Sequence, residues 1–257
     1  MNKKGQVTIW IIAGIIIVAI VALFIVLFRT GILPSPITPS IDKNPNSFLK
    51  ECMQDKVSET VKTMEPQGGT LKPTLYKRFR FVEESATYNV SYLCYNQNDY
   101  LPCVNQQPTL VSSMEKEIKE NIKDTVEECF NDLESSYKNA GYTVSVSGDA
   151  YDVKLQEGEV LVSLDRTIKM TKGDQSSVLK DFKVAIPSNI YDLSIVAVEV
   201  VNKELDCNFD RVKYNLLNSK TSVEKYLDSD NTRIYTVKEK VGQEFFRFAT
   251  KGGCRHG

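Results

Sequence analysis

Six cysteines are the residues of this sequence best suited to covalent chemistry. None belongs to a C-x-x-C motif, and the only histidine, His256, lies near the C-terminus. This composition argues against a thioredoxin-like centre and a Cys/His zinc site, so we predict no metal and no cofactor. An even number of cysteines favours structural disulfides instead. They are Cys52, Cys94, Cys103, Cys129, Cys207 and Cys254.

The spacing of the cysteines suggests three pairs. Cys94 and Cys103 flank a short loop between extended segments. Cys52 and Cys129 lie early in one predicted helix and late in the next, so they meet if those helices pack antiparallel, and the remaining pair is Cys207 with Cys254. Chain entropy gives about 2.6 kcal/mol for the 94–103 loop and about 4.5 kcal/mol for the 52–129 closure. Other pairings remain open, because spacing alone does not fix connectivity.

Candidate catalytic residues are few. With one histidine, a Ser–His–Asp or Cys–His arrangement is disfavoured, and no phosphate-loop, dinucleotide or nucleophile-elbow motif occurs. Adjacent acids stand at Glu83–Glu84 and Glu127–Glu128, but neighbours in a helix or strand point in different directions. We interpret both pairs as solvated surface charge and predict a non-catalytic protein. A carboxylate-only hydrolase site built from distant segments stays open.

Asn89 begins the only modification motif that we single out. Asn89-Val90-Ser91 matches the acceptor pattern for N-glycosylation. The motif falls on a predicted strand, so it suits a glycan only if Asn89 faces solvent. Chance occurrence is the competing interpretation.

The charge balance excludes one class of partner. The chain has 32 Lys and Arg against 33 Asp and Glu; Lys3, Lys4 and Arg29 precede residue 30, which leaves 29 basic residues and a net charge of −4 in 30–257. No basic stripe interleaved with aromatic residues is present. We therefore predict no nucleic-acid binding.

The segment Val7–Phe28 contains no charged residue. A helix of this length spans about 33 Å, enough to cross a hydrocarbon core of roughly 30 Å. No small-x-small cleavage site follows it, so we predict an uncleaved transmembrane anchor in the lipid bilayer. Lys3 and Lys4 outweigh Arg29, which places the N-terminus in the cytoplasm and the bulk of the chain outside the cell.

The residues Lys3, Lys4, Gly5, Gln6 and Val7 resemble the processing site of archaeal type IV pilin-like precursors. The resemblance implies cleavage after Gly5 and a new N-terminus at Gln6. Many such subunits carry a glutamate at the fifth mature position, where this chain has Trp10. The departure bears more on filament assembly than on processing.

More of the chain is similar to a group of uncharacterised archaeal single-span surface proteins. The similarity lies in "KKGQVTI", "CMQDKVSETVKTMEPQGGT", "LCYNQNDYLPCVNQQP", "VEECF" and "FFRFATKG". It implies an architecture and no activity.

Four regions follow. Residues 1–6 are a short cytoplasmic tail, 7–28 the transmembrane helix and 29–46 a proline-rich stalk, since proline favours extended backbone. Residues 47–257 form the outer domain, with a subdivision, if present, near 141–148.

The outer domain is predicted to be α+β: an antiparallel sheet with two or three amphipathic helices. Apolar periodicity predicts helices over Ser47–Met64, 108–141 and 188–205, the last of which would also suit a strand. Alternation predicts strands between 75 and 95, a meander over 142–187, and strands at 232–239 and 244–250. In the second helix we expect a capping box at Ser112 and Glu115, and a C-terminal cap at Gly141. Its apolar stripe comprises Leu110, Met114, Ile118, Ile122, Val126, Phe130, Leu133 and Tyr137.

These observations predict a membrane-anchored, extracellular protein with a structural or interaction role. It would contact the bilayer through Val7–Phe28, with self-association or other envelope proteins as further partners. One alternative is a pilin-like subunit that assembles through the N-terminal helix. Another is an extracellular ligand-binding module.

Overall fold

The computed structural model describes residue 17 and residues 44–81, 84–206 and 208–253, in which groups of helices and groups of three strands follow one another. All these elements lie in one of the chain's two compact units, Ile41–Gly257. The helices are α1 (Pro45–Met64), α2 (Leu110–Asn121), α3 (Lys123–Asn139), α4 (Ile190–Leu205) and α5 (Arg211–Leu217), with a 3-10 turn at Glu65–Gln67. The strands are β1 (Tyr76–Phe79), β2 (Tyr88–Tyr95), β3 (Val104–Asn105), β4 (Thr143–Gln156), β5 (Glu159–Lys172), β6 (Gln175–Pro187), β7 (Thr221–Leu227), β8 (Arg233–Glu239) and β9 (Phe245–Lys251).

Helix α1 begins two residues before the predicted start. The side chain of Asn44 accepts a hydrogen bond from the backbone N–H of Asn46 at 3.0 Å, and Pro45 occupies the first turn, where its missing N–H costs nothing. Its apolar stripe is buried, and the helix packs against α3 and β6.

The second predicted helix is two helices. Ile122 leaves helical geometry, with φ −95° and ψ 0°, and separates α2 from α3. The apolar stripe nevertheless continues through the break, and all eight of its residues are buried. It therefore faces the core.

The expected capping box is wrong. Thr109 precedes α2, and its side chain makes no capping hydrogen bond. Glu115 turns to β4, where its carboxylate accepts hydrogen bonds from Leu155 N at 3.0 Å and Lys154 Nζ at 3.2 Å. Gly141 does follow the end of α3 with φ +83°, and Tyr142 N donates to Tyr137 O, as in a left-handed helix end.

Strands β4, β5 and β6 form the predicted antiparallel meander. Gly148 lies inside β4 at an irregularity between Ser147 and Ala150. It has φ +85°, and a Cβ there would lie 2.6 Å from the Asp165 carbonyl oxygen. Glycine is needed for this bulge because an L side chain suits neither the backbone nor the space.

The other sheet is mixed, which corrects the antiparallel prediction. Its order is β1-β2-β9-β8-β7, with β3 beside β2, and β2 and β9 run parallel. One face packs on α4 and the 3-10 turn. The opposite face carries a small second core of Val90, Tyr92, Ile234 and Ala249.

Two further parts of the predicted fold class need correction. The described residues contain five helices in place of two or three. No helix in the described residues is both long enough and apolar enough to cross a membrane. This finding contradicts the predicted fold class, which included a transmembrane helix. The predictions for residues 1–6, 7–28 and most of 29–46 lie outside the described residues, apart from Ile17.

Candidate functional site

Two disulfides join elements of the domain. Cys52 of α1 bonds Cys129 of α3, with their Cα atoms 5.8 Å apart. Cys94 of β2 bonds Cys103, which precedes β3, at a Cα separation of 5.3 Å. These are the two pairs that the spacing suggested. Cys207 and Cys254 lie outside the described residues, so their pairing stays a prediction.

A buried carboxyl group, Glu65, lies at the end of α1. Its side chain is 5% exposed, and Oε1 has no hydrogen-bond partner among the described residues. Burial raises the pKa of Glu65 to about 8, and the negative charges of Glu244 and Glu239 add to the effect, against a partial offset from Lys62. Glu65 therefore holds a proton near neutral pH.

Two more acids stand near Glu65 at the ends of neighbouring elements. Glu244 precedes β9 and accepts hydrogen bonds from Asn189 N and from Ser188 Oγ (3.4 Å), where the amide dipoles at the start of α4 favour an anion. Glu239 ends β8, and burial together with the charge of Glu244 raises its pKa. Glu65, Glu239 and Glu244 thus come from three separate segments.

Glu65 can thus hold a proton close to two other carboxyl groups, an arrangement suited to general acid chemistry. Within the described ranges, no group of three or more His, Cys, Asp and Glu is placed to hold a metal ion. The cluster was not predicted from the sequence. One signal was present: Val57, Val61 and Glu65 recur at four-residue spacing, which continues the buried stripe of α1.

One member of each adjacent acid pair has an arginine partner. Glu84 binds the buried guanidinium of Arg247, with Nη2–Oε1 at 2.8 Å and Nη1–Oε2 at 3.3 Å. The same guanidinium lies 3.8 Å from the ring centre of Phe81. Glu127 pairs with the buried Arg166. Glu84 and Glu127 are themselves partly exposed, but each also neutralises an arginine that the fold buries, which the sequence did not predict.

Among the described residues, Glu128 and the glycosylation motif have no such ion pair with a buried arginine. Glu128 is exposed on α3, and Glu83 lies outside the described residues. Asn89 is half-buried on β2, opposite Arg78 of β1.

Helix α5 is a surface element that was not predicted from the sequence. Asp210 caps it by accepting a hydrogen bond from Lys213 N at 3.0 Å. On its inner side the hydroxyl of Tyr214 lies 2.7 Å from that of Thr221. Two signals were available in the sequence. Asp210 is a typical capping residue before a helix at 211–217, and the alternating pattern of 221–227 indicates a strand after it.

Amide side chains in α5 and directly after it cover the edge of the mixed sheet. Asn215 Nδ2 donates to Val223 O at 3.0 Å, and Val223 N donates to Asn215 Oδ1 at 2.8 Å. Asn218 accepts from Thr221 N at 3.0 Å. These bonds replace the partners that an adjacent strand would supply, and they fix which side of α5 faces the protein.

The opposite side of α5 is apolar and exposed. Val212 is 62% exposed, Leu216 80% and Leu217 77%. Val212 with Leu216, and Lys213 with Leu217, stand four residues apart and so share one helix face. We call these four side chains the α5 patch. Next to it, an open groove of about 510 Å³ runs between α4 and α5.

Comparison of the chain with protein-family models, with curated proteins and with solved structures finds no match.

Proposed function

We propose that this chain is a cell-surface protein, held at the membrane by residues 7–28, whose disulfide-linked α+β domain has a structural or interaction role and no catalytic one. The two disulfides carry the proposal. Disulfides persist in oxidising compartments and are rare in reducing ones, so their presence favours an extracellular domain.

The α5 patch supports the interaction role. Monomeric proteins expose single apolar side chains freely, but a cluster of large ones on one rigid face is typical of an interaction site. Here three aliphatic side chains share one face of α5, and hydrogen bonds from the inner side hold that face outward.

Topology is the sharpest test. Intact cells that carry the full chain with a C-terminal tag are treated with protease, and extracts are alkylated without reduction. We expect the tag to be cleaved, and Cys52, Cys94, Cys103 and Cys129 to escape alkylation until a reductant is added. A tag protected by the cell, or free thiols at these four positions, would overturn the proposal.

A further inference from the structure

We propose that the α5 patch docks onto an anionic lipid surface. The inference rests on the proposed function, because the domain must first be held near a membrane. It names the partner of that interaction role.

The first argument is the apolar face. Val212, Leu216 and Leu217 project from a helix whose other side is fixed by Tyr214 and Asn215. The three side chains cannot turn inward without breaking those bonds. A partner that buries these side chains therefore gains the favourable free energy of removing them from water, and the fold need not change.

The second argument is charge. From 211 to 220 the chain has Arg211, Lys213 and Lys220 and no acidic residue. Lys240 adds a positive charge at the end of α5, since its Nζ donates to Asn215 O at 3.0 Å and Asn218 O at 2.5 Å.

Acidic residues also stand near the patch. Glu199 pairs with Lys203 at 2.6 Å, and Asp210 caps the helix. Glu157 lies 3.8 Å from Lys220, and both side chains are largely exposed, so solvent screens that pair. The four basic residues named above therefore stand against two acids outside the Glu199–Lys203 pair, Asp210 and Glu157, which leaves the surroundings of the patch net positive.

Aliphatic side chains beside basic ones match the two layers of an anionic membrane, which are acyl chains and negative headgroups. A second copy of the patch would place like charges against each other and is disfavoured. A helix of about two turns binds weakly alone. A tether to the same membrane compensates, because it raises the effective concentration of the surface.

The test uses the full chain in vesicles. Trp10→Phe removes the only tryptophan, and Leu216→Trp places a reporter in the patch. The vesicles contain phosphatidylcholine with or without phosphatidylglycerol, and their acyl chains are brominated to quench buried tryptophan. The matched control replaces Val178, an exposed apolar residue of β6, by Trp in the same background.

We expect a blue shift and roughly twofold or stronger quenching of Trp at 216 in phosphatidylglycerol vesicles, with little at 178. Quenching should fall in high salt and in the Arg211→Glu/Lys213→Glu variant. Absence of quenching at 216, or equal quenching at 216 and 178, would overturn the inference. So would a blue shift that depends on protein concentration without bromine quenching, which would indicate self-association.

Flotation separates this inference from the proposed function. A chain that floats with vesicles in high salt, yet shows no quenching at 216 in low salt, contradicts the docking inference and leaves membrane attachment intact. A chain that does not float contradicts the proposed attachment itself.

Discussion

At the scale of single residues, buried charge is the main feature of this domain. Arg247 and Arg166 each have a carboxylate partner and an aromatic ring against the guanidinium. Glu65 differs, because its nearest charged neighbours include two other acids and its Oε1 has no hydrogen-bond partner among the described residues. The fold therefore favours the neutral form of Glu65.

Substitution of Glu65 should therefore change the pH dependence of stability. The pKa of Glu65 is about 8 in the folded state against an ordinary 4.5, so between these values the folded chain holds a proton that the unfolded chain has lost. The contribution of Glu65 to the free energy of unfolding therefore falls as pH rises through this window, with a slope of about 1.4 kcal/mol per pH unit.

Glu65→Gln removes this proton linkage. We expect the variant to be close to the parent at pH 4.5 and more stable than the parent at pH 8. Denaturant titrations of both chains in mild detergent at the two pH values measure the difference. Parallel pH profiles for parent and variant would show that Glu65 does not carry the linkage.

At the scale of elements, covalent and hydrogen-bonded links hold helices to their neighbours. The disulfide between Cys52 and Cys129 closes a sequence separation of 77 residues, whereas that between Cys94 and Cys103 closes only 9. The longer closure restricts the unfolded chain more strongly.

Loss of the longer disulfide should therefore cost more stability. We expect Cys52→Ala/Cys129→Ala to lower the free energy of unfolding by about 3–5 kcal/mol, against about 2–3 kcal/mol for Cys94→Ala/Cys103→Ala. Denaturant unfolding of the two double variants gives both values. An equal or larger loss at 94–103 would contradict the loop-length argument.

Asn215 should contribute both to the stability of the domain and to its resistance to aggregation. Asn215→Ala removes both hydrogen bonds to Val223, and we expect a loss of about 1–3 kcal/mol. It also uncovers part of the β7 edge, so aggregation should increase. Denaturant unfolding and light scattering measure the two effects, with Ser219→Ala, an exposed neighbour, as the control. A chain that behaves like the control would rule out the edge-covering role.

At the scale of the whole molecule, two segments that are distant in sequence, the end of α4 and the residues after β9, both contact the side chain of Arg233. Arg233 Nε lies 3.1 Å from Glu204 Oε2, and Arg233 Nη2 donates to Gly252 O at 2.9 Å. Glu204 stands three residues before Cys207, and Gly252 two residues before Cys254. The described neighbours of these cysteines are thus linked through a single arginine.

We accordingly expect a third disulfide between Cys207 and Cys254. Proteolysis of the unreduced full chain followed by mass spectrometry should give a peptide pair that contains both residues and separates on reduction. The pairs at 52–129 and 94–103 serve as internal controls. Alkylation of either cysteine without reduction, or a bond to another partner, would contradict the prediction.

The sequence by itself determined the features that depend on short-range pattern. The spacing of apolar residues predicted the apolar stripe of α1 and the stripe from Leu110 to Tyr137. The alternation of apolar and polar residues predicted the β4–β6 meander. These succeeded because neighbours along a helix or strand decide which face is apolar.

Only the tertiary structure decided the remaining features. The parallel pairing of β2 with β9, the acids that surround Glu65, the arginine partners of Glu84 and Glu127, and the exposed side of α5 all depend on contacts between distant segments. No local pattern encodes such contacts, because they form only after the hydrophobic core has brought those segments together.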